Sequence, residues 1–238
     1  MAGYIRSEWI KNKAWYYGCL SILLPVILGL FVRTRIVDRA ADYIDIPLDA
    51  YTFVIISNIY LPLIFPFFVL LISIFFVQNE SRDNGWVLVL STVKKPEKVI
   101  AAKCFVNLLL ILVSYGSYTC VNCFLLRDRG AEILFSAVIV PMLYSFICFI
   151  PVAIAFQIIN IILPHMVEKV FLGIFFILLN FIVTQTKYNQ FYLPGFYYTI
   201  TQDLSYAYIK VPVCILAGAG VLYFGAKLVK KWIQMFDV

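Results

Sequence analysis

Between Thr52 and Val77 the chain carries no charged residue at all, reading TFVIISNIYLPLIFPFFVLLISIFFV. A run of that length is more than one buried helix of a water-soluble core uses, and it meets the roughly 20 apolar residues needed to cross about 30 Å of hydrocarbon. Comparable runs recur at about 14–32, 101–126, 133–158, 170–184 and 211–226. Of all residues 63% are hydrophobic and 13% charged, with a mean hydropathy of +0.93, whereas soluble domains carry about 25% charge. In lipid every backbone N–H and C=O must be satisfied within its own segment, which favours helices. The expected fold class is therefore all-α integral membrane, one transmembrane domain over residues 1–238 with six transmembrane helices. No segment is polar enough for a nucleotide-binding module. Any ATP falls to another chain, and catalysis in this one is not expected.

Residues 1–13 contain Arg6, Glu8, Lys11 and Lys13, and the apolar run that follows is long and lacks a small-residue cleavage site. It is expected to stay as an anchor rather than leave as a signal peptide. From Tyr4 to Lys13 the pattern is amphipathic: Ile5 and Trp9 stand i, i+4 on one helical face. Trp15, Tyr16 and Tyr17 follow, the residue types found at headgroup depth, so an N-terminal amphipathic interfacial helix is expected to turn into the first span. Pro62 and Pro66 are expected to bend the second.

Orientation follows from the basic residues. Arg6, Lys11, Lys13, Arg82, Lys94, Lys95, Lys98, Lys103, Lys169, Lys227, Lys230 and Lys231 fall on one side, and Arg33, Arg35, Arg39, Arg127, Arg129, Lys187 and Lys210 on the other, 12 against 7 of the 19. The positive-inside rule then places both termini in the cytoplasm of a multi-pass cell-membrane protein. The net charge of +6 is that bias and not a nucleic-acid patch.

The polar interruption at Gln78–Lys103, QNESRDNGWVLVLSTVKKPEKVIAAK, encloses a short apolar piece led by Trp86. A plain connector has no use for such a piece. A helix lying along the membrane surface and offering one face to a soluble partner does. The bland alternative is a solvated loop with a membrane-dipping tryptophan. The order of residues here resembles the permease subunits of ABC-2 type transporters: Glu80 at the end of a span, Gly85-Trp86, Leu88 and Leu90, Ser91-Thr92, Lys94 and Lys95, then Lys103 opening the next span. In size and short loops the chain is similar to lantibiotic (bacteriocin) immunity permeases. That family commonly has proline directly after the Ser/Thr pair, where this chain has Val93, with Pro96 three residues on.

The resemblance implies a cytoplasmic coupling helix between spans two and three, formed by Glu80, Asp83, Gly85, Trp86, Leu88, Leu90, Lys94 and Lys95. It also implies a cytoplasmic ABC ATPase that binds the ATP and magnesium, no cofactor in this chain, and a second permease subunit, identical or a sister chain, met through spans one, two and five. Export of an amphipathic substrate such as an antimicrobial peptide is then the expected function, with a lipid or drug as alternative cargo. A membrane scaffold that transports nothing is the competing class.

Polar residues inside the runs have two readings. Asn58, Asn107, Ser114, Ser117, Asn122 and Gln157 either line a cavity or bond between helices, worth about 0.6 kcal/mol each. No charged residue sits mid-span, which argues against ion coupling. The six cysteines, including the Cys120/Cys123 pair, are expected as packing residues. His165 and Glu168 are two potential ligands without a third, so no metal site is expected. His165 and Lys169 are expected at the headgroups of a near-side connector, and the role of the aromatic stretch 187–208 stays open.

Overall fold

The computed structural model describes residues 2–11, 14–32, 58, 61–81, 96–128, 135–163 and 165–234. Among these residues the chain is all helical: α1 (Ala2–Lys11), α2 (Ala14–Val32), α3 (Leu61–Ser81), α4 (Pro96–Asp128), α5 (Phe135–Ile162), α6 (Met166–Thr184), α7 (Phe196–Gln202) and α8 (Ala207–Gln234), with two 3₁₀ turns at Asn189–Phe191 and Leu193–Gly195. The helices α4, α5, α6 and α8 are each long and apolar enough to cross a membrane, and α1 and α2 meet at a 73° bend. This is a helical, membrane-embedded chain. At 33 residues, α4 measures about 50 Å at 1.5 Å per residue, so it extends well past the hydrocarbon layer.

The helix ends differ from the expected spans, and each difference has a local cause. Pro96 was expected in a connector but starts α4, where its missing N–H costs nothing and its fixed φ suits a first turn. Glu97 beside it complements the helix dipole. Pro62 likewise falls in the first turn of α3, so it begins that helix rather than bending it, and only Pro66 lies inside. Past Val77, α3 continues through Gln78, Asn79 and Glu80 to Ser81, none of which breaks a helix. Arg127 and Asp128 are the last residues of α4, two beyond the expected end of that span at 126. Lys227, Lys230 and Lys231 lie within α8, which runs eight residues beyond the expected end.

At the centre, α5 packs on α3, α4, α7 and α8. Its Phe149 stands edge-on to Tyr197 of α7 at 4.9 Å between ring centres and to Phe65 of α3 at 6.1 Å, while Phe65 lies 4.1 Å from Tyr115 of α4. These rings, with Val69, Ile111, Val152 and Ile177, form the main core. A second core closes one end of the bundle, where Val77, Val99, Ile100, Ile158, Ile161 and Val229 meet with Tyr4 of α1 packed against them. In contrast to α4 and α5, α6 and α8 leave most of their apolar surface open. Phe171 and Phe175 on α6 and Leu216 and Phe224 on α8 are examples, as suits helices facing lipid tails.

Where α6 crosses α3, Gly173 leaves no room for a side chain, since a Cβ there would overlap the head of Leu70. Gly220 on α8 faces open space. Gly173→Val is expected to destabilise the fold by about 1–3 kcal/mol through overpacking. Gly220→Val should stay within about 0.5 kcal/mol. Thermal unfolding of the two variants in detergent measures the contrast.

Candidate functional site

The end of the bundle that carries α1 holds a buried charge. Lys103 lies two turns into α4 and is fully buried, and its Nζ sits 2.5 Å from Oε2 of Glu8 on α1. Burial of an ammonium on an apolar helix is costly unless an opposite charge goes with it. Glu8 is the only carboxylate before Asp38, so α1 brings to Lys103 the one acid its end of the chain has. The amphipathic face expected from Ile5 and Trp9 is thereby turned. Ile5 packs against Phe68, Ile72, Val106 and Leu110, and Glu8 is buried, whereas Trp9 remains 40% exposed. The helix docks on α4 through Ile5 and Glu8.

A second pair joins the same end of α4 to α8. Lys230 Nζ donates to Oε1 of Glu97 at 3.0 Å, with both side chains about half exposed. The first turns of α4 thus hold α1 by a buried pair and α8 by an exposed one. The stretch that leads into these turns, residues 82–95, contains Asp83, Gly85, Trp86, Leu88, Leu90, Lys94 and Lys95, all of which lie outside the described residues. Glu80 is in the last turn of α3.

The six polar residues weighed as a cavity lining are buried or half-buried, and none of them lines the cavities described here. Asn107 donates to Oγ of Ser73 at 2.9 Å, an interhelical bond between α4 and α3. Ser114 and Ser117 donate back to the carbonyls of Leu110 and Val113 in their own helix. Asn58, expected within the second span, stands in a turn ahead of α3, and its Nδ2 faces Met142 Sδ at 3.7 Å. Asn122 and Gln157 are buried, and neither amide atom of Gln157 meets a partner among the described residues.

Two features were not anticipated. Asn160 and Lys169 belong to α5 and α6, not to a connector, and both are buried. They line, with Phe156 and Phe176, a cavity of about 240 Å³ between these helices. Lys169, in the first turn of α6, is thus enclosed between helices rather than exposed, its stem lying along apolar surface, as a long basic side chain permits. The aromatic stretch 187–208 also folds inward. Six consecutive residues of α7, Phe196 to Thr201, are buried and plug the end of the bundle opposite α1. The Tyr197 hydroxyl accepts a hydrogen bond from Asn180 Nδ2 at 2.7 Å, and its carbonyl accepts one from Ser145 Oγ at 2.6 Å. Burial raises the Tyr197 phenol well above its ordinary pKa, which keeps it a neutral partner in this network.

All six cysteines are free thiols, with Cys104, Cys148 and Cys214 buried. Among the described residues no group of three or more His, Cys, Asp or Glu is placed to hold a metal. The chain matches no family model, no curated protein and no solved structure.

Breaking the inner pair separates it from the outer one. Lys103→Met leaves the Glu8 carboxylate buried without its partner and is expected to destabilise the chain by about 3 kcal/mol, most of which returns in a Glu8→Met/Lys103→Met double variant. Lys230→Ala removes only an exposed pair and should cost no more than about 0.5 kcal/mol. A double-mutant cycle on thermal unfolding in detergent reads both.

Proposed function

We propose that the chain is the membrane-spanning permease subunit of an ABC-2 type exporter that moves an amphipathic substrate, of the antimicrobial-peptide kind, with ATP hydrolysed on a separate subunit. In this reading the chain crosses the cell membrane six times, α2 and α3 being the first two passes, and both termini lie in the cytoplasm. α1 is the interfacial helix, and residues 82–95 seat on the ATPase.

One observation carries the reading. The long helix α4 runs directly out of the tryptophan-led stretch, and its first turns are ion-paired to α1 through Glu8–Lys103 and to α8 through Glu97–Lys230. A push on residues 82–95 enters three helices together rather than one. Such rigid linkage is what a chain without its own nucleotide site needs in order to receive work from a soluble motor. Further support comes from the opposite flank. α2 packs on α4, which leaves an apolar groove of about 280 Å³ between α2 and α3, lined by Leu24, Pro25, Phe31, Phe65 and Phe68. With the exposed face of α6, this is a surface suited to a second permease subunit.

The test is co-expression with a stand-alone ABC ATPase, which this reading expects to be encoded in a neighbouring reading frame. The ATPase is expected to co-purify, and Trp86→Ala to lower its recovery by roughly tenfold or more, as loss of a tryptophan anchor does. Undiminished recovery in both Trp86→Ala and Glu80→Ala contradicts the coupling assignment. Growth protection against a panel of lantibiotics then assigns the cargo; an intact complex that protects against none moves it to a lipid or drug.

A further inference from the structure

At the end of the bundle away from α1, one cation is buried without a direct ion pair among the described residues. Lys210, in the first turn of α8, is 4% exposed. Among the described residues its single hydrogen bond goes to Thr199 Oγ1 of α7 at 3.0 Å, and no carboxylate stands within ion-pairing distance. The ammonium lies instead over two rings, 5.5 Å from the centre of Phe196 and 6.0 Å from that of Tyr206. Of the three N–H donors an ammonium carries, two are left over. The nearest acid, Asp203, is engaged elsewhere, since its Oδ1 accepts the backbone N–H of Ser205 at 2.8 Å. The hydroxyl of Ser205 and that N–H hold the Asp203 carboxyl below its ordinary pKa, with a smaller contribution from the Lys210 charge itself, so Asp203 acts on Lys210 through space but does not pair with it.

Lys210 forms part of the wall of a cavity of about 410 Å³ whose other walls are Phe191, Phe196, Tyr206, Ile209 and Val213, with Gln190 as the second polar side chain. Phe191 on its rim is 84% exposed, and Ile209 and Val213 begin an exposed stripe that Leu216 continues one turn further along α8. Residues 209, 213 and 216 are spaced i, i+4, i+7 and so share one helical face. A buried cation with donors to spare thus stands at the head of an apolar track on the lipid-facing side of a membrane helix.

We propose that this cavity binds the phosphate headgroup of an anionic lipid from the leaflet at that end, with an acyl chain laid along Ile209, Val213 and Leu216. The phosphate supplies Lys210 with the direct ion pair that Asp203 does not make, through charge-assisted hydrogen bonds. Phe191 and Tyr206 cover the glycerol region, as aromatic residues do at headgroup depth. Basic pockets between membrane helices are recognised sites for acidic headgroups. A free anion meets the same ammonium but gains nothing from the apolar walls, which is why the lipid is favoured. The site does not depend on the exporter reading.

The full-length chain in detergent, titrated with phosphatidylglycerol and with phosphatidylcholine of the same acyl chains and followed by native mass spectrometry, tests this. One phosphatidylglycerol is expected to bind roughly tenfold more tightly than phosphatidylcholine, a preference that Lys210→Met abolishes and Lys210→Arg keeps. Lys187→Met, which removes an exposed cation at the same end, should leave the preference intact. Phe191→Ala, at an exposed rim position, should weaken phosphatidylglycerol binding several-fold without altering thermal stability, and it decides the matter if Lys210→Met fails to fold. Equal binding of the two lipids, a preference that survives Lys210→Met, or unchanged binding in Phe191→Ala overturns the proposal. So does competition by inorganic phosphate at the concentrations at which the lipid binds, since the pocket is then a plain anion site.

Discussion

A lysine two turns into the longest helix cannot stay buried alone, and the chain answers it with the only acid its N-terminal region has. The Glu8–Lys103 pair ties α1 to α4 and goes with which face of α1 is covered. Such a pair adds little net stability over an apolar replacement, because desolvation of both charges offsets most of their attraction. Its consequence is specificity. Ile5 and Tyr4 make contacts that many apolar surfaces accept, whereas the buried Glu8 gains its ion pair where Lys103 stands, which favours this docked position of α1. The exposed Glu97–Lys230 pair, six residues earlier on α4, adds α8 to the same root.

The two ends of the bundle are built differently. At the α1 end, charges are paired, and aliphatic residues of α3, α4, α5 and α8 close around them. At the opposite end, α7 folds back as a plug whose polar groups bond to Asn180 and Ser145, while Lys210 keeps donors to spare beside an aromatic cavity. In the proposed exporter the first end receives work and the second faces the outer leaflet. A plug held by hydrogen bonds rather than by a covalent link is the kind of element that such work can move.

Helix existence was legible in the sequence because charge-free runs of this length have few alternatives, and α4, α5, α6 and α8 appear where the runs are. Their ends were less legible, since hydropathy marks where lipid stops and not where hydrogen bonding stops. Lys227, Lys230 and Lys231 are polar yet continue a helix, and Pro96 opens one. Pairing was not legible at all. Glu8 and Lys103 are far apart in the chain, and a lysine at the start of an apolar run implies an acid somewhere without saying which of the eight upstream of it. Lys169 and Asn160 look like connector residues until α5 and α6 are seen to enclose them. For 187–208, the tyrosines and phenylalanines suited an interfacial loop as well as a buried plug, and six successive buried residues in α7 come from its short helix sitting across the bundle end. Much of the motif that carries the family resemblance, from Asp83 to Lys95, lies outside the described residues, so its part in the site rests on the helices that flank it.

The most direct measurement places a photo-activatable cross-linker at position 86 of the full-length chain in cells and identifies what it captures. Capture of a soluble nucleotide-binding chain, increased when ATP hydrolysis is blocked, is the predicted result. Adducts with lipid alone, or none under either condition, contradict the claim that work enters the bundle through residues 82–95.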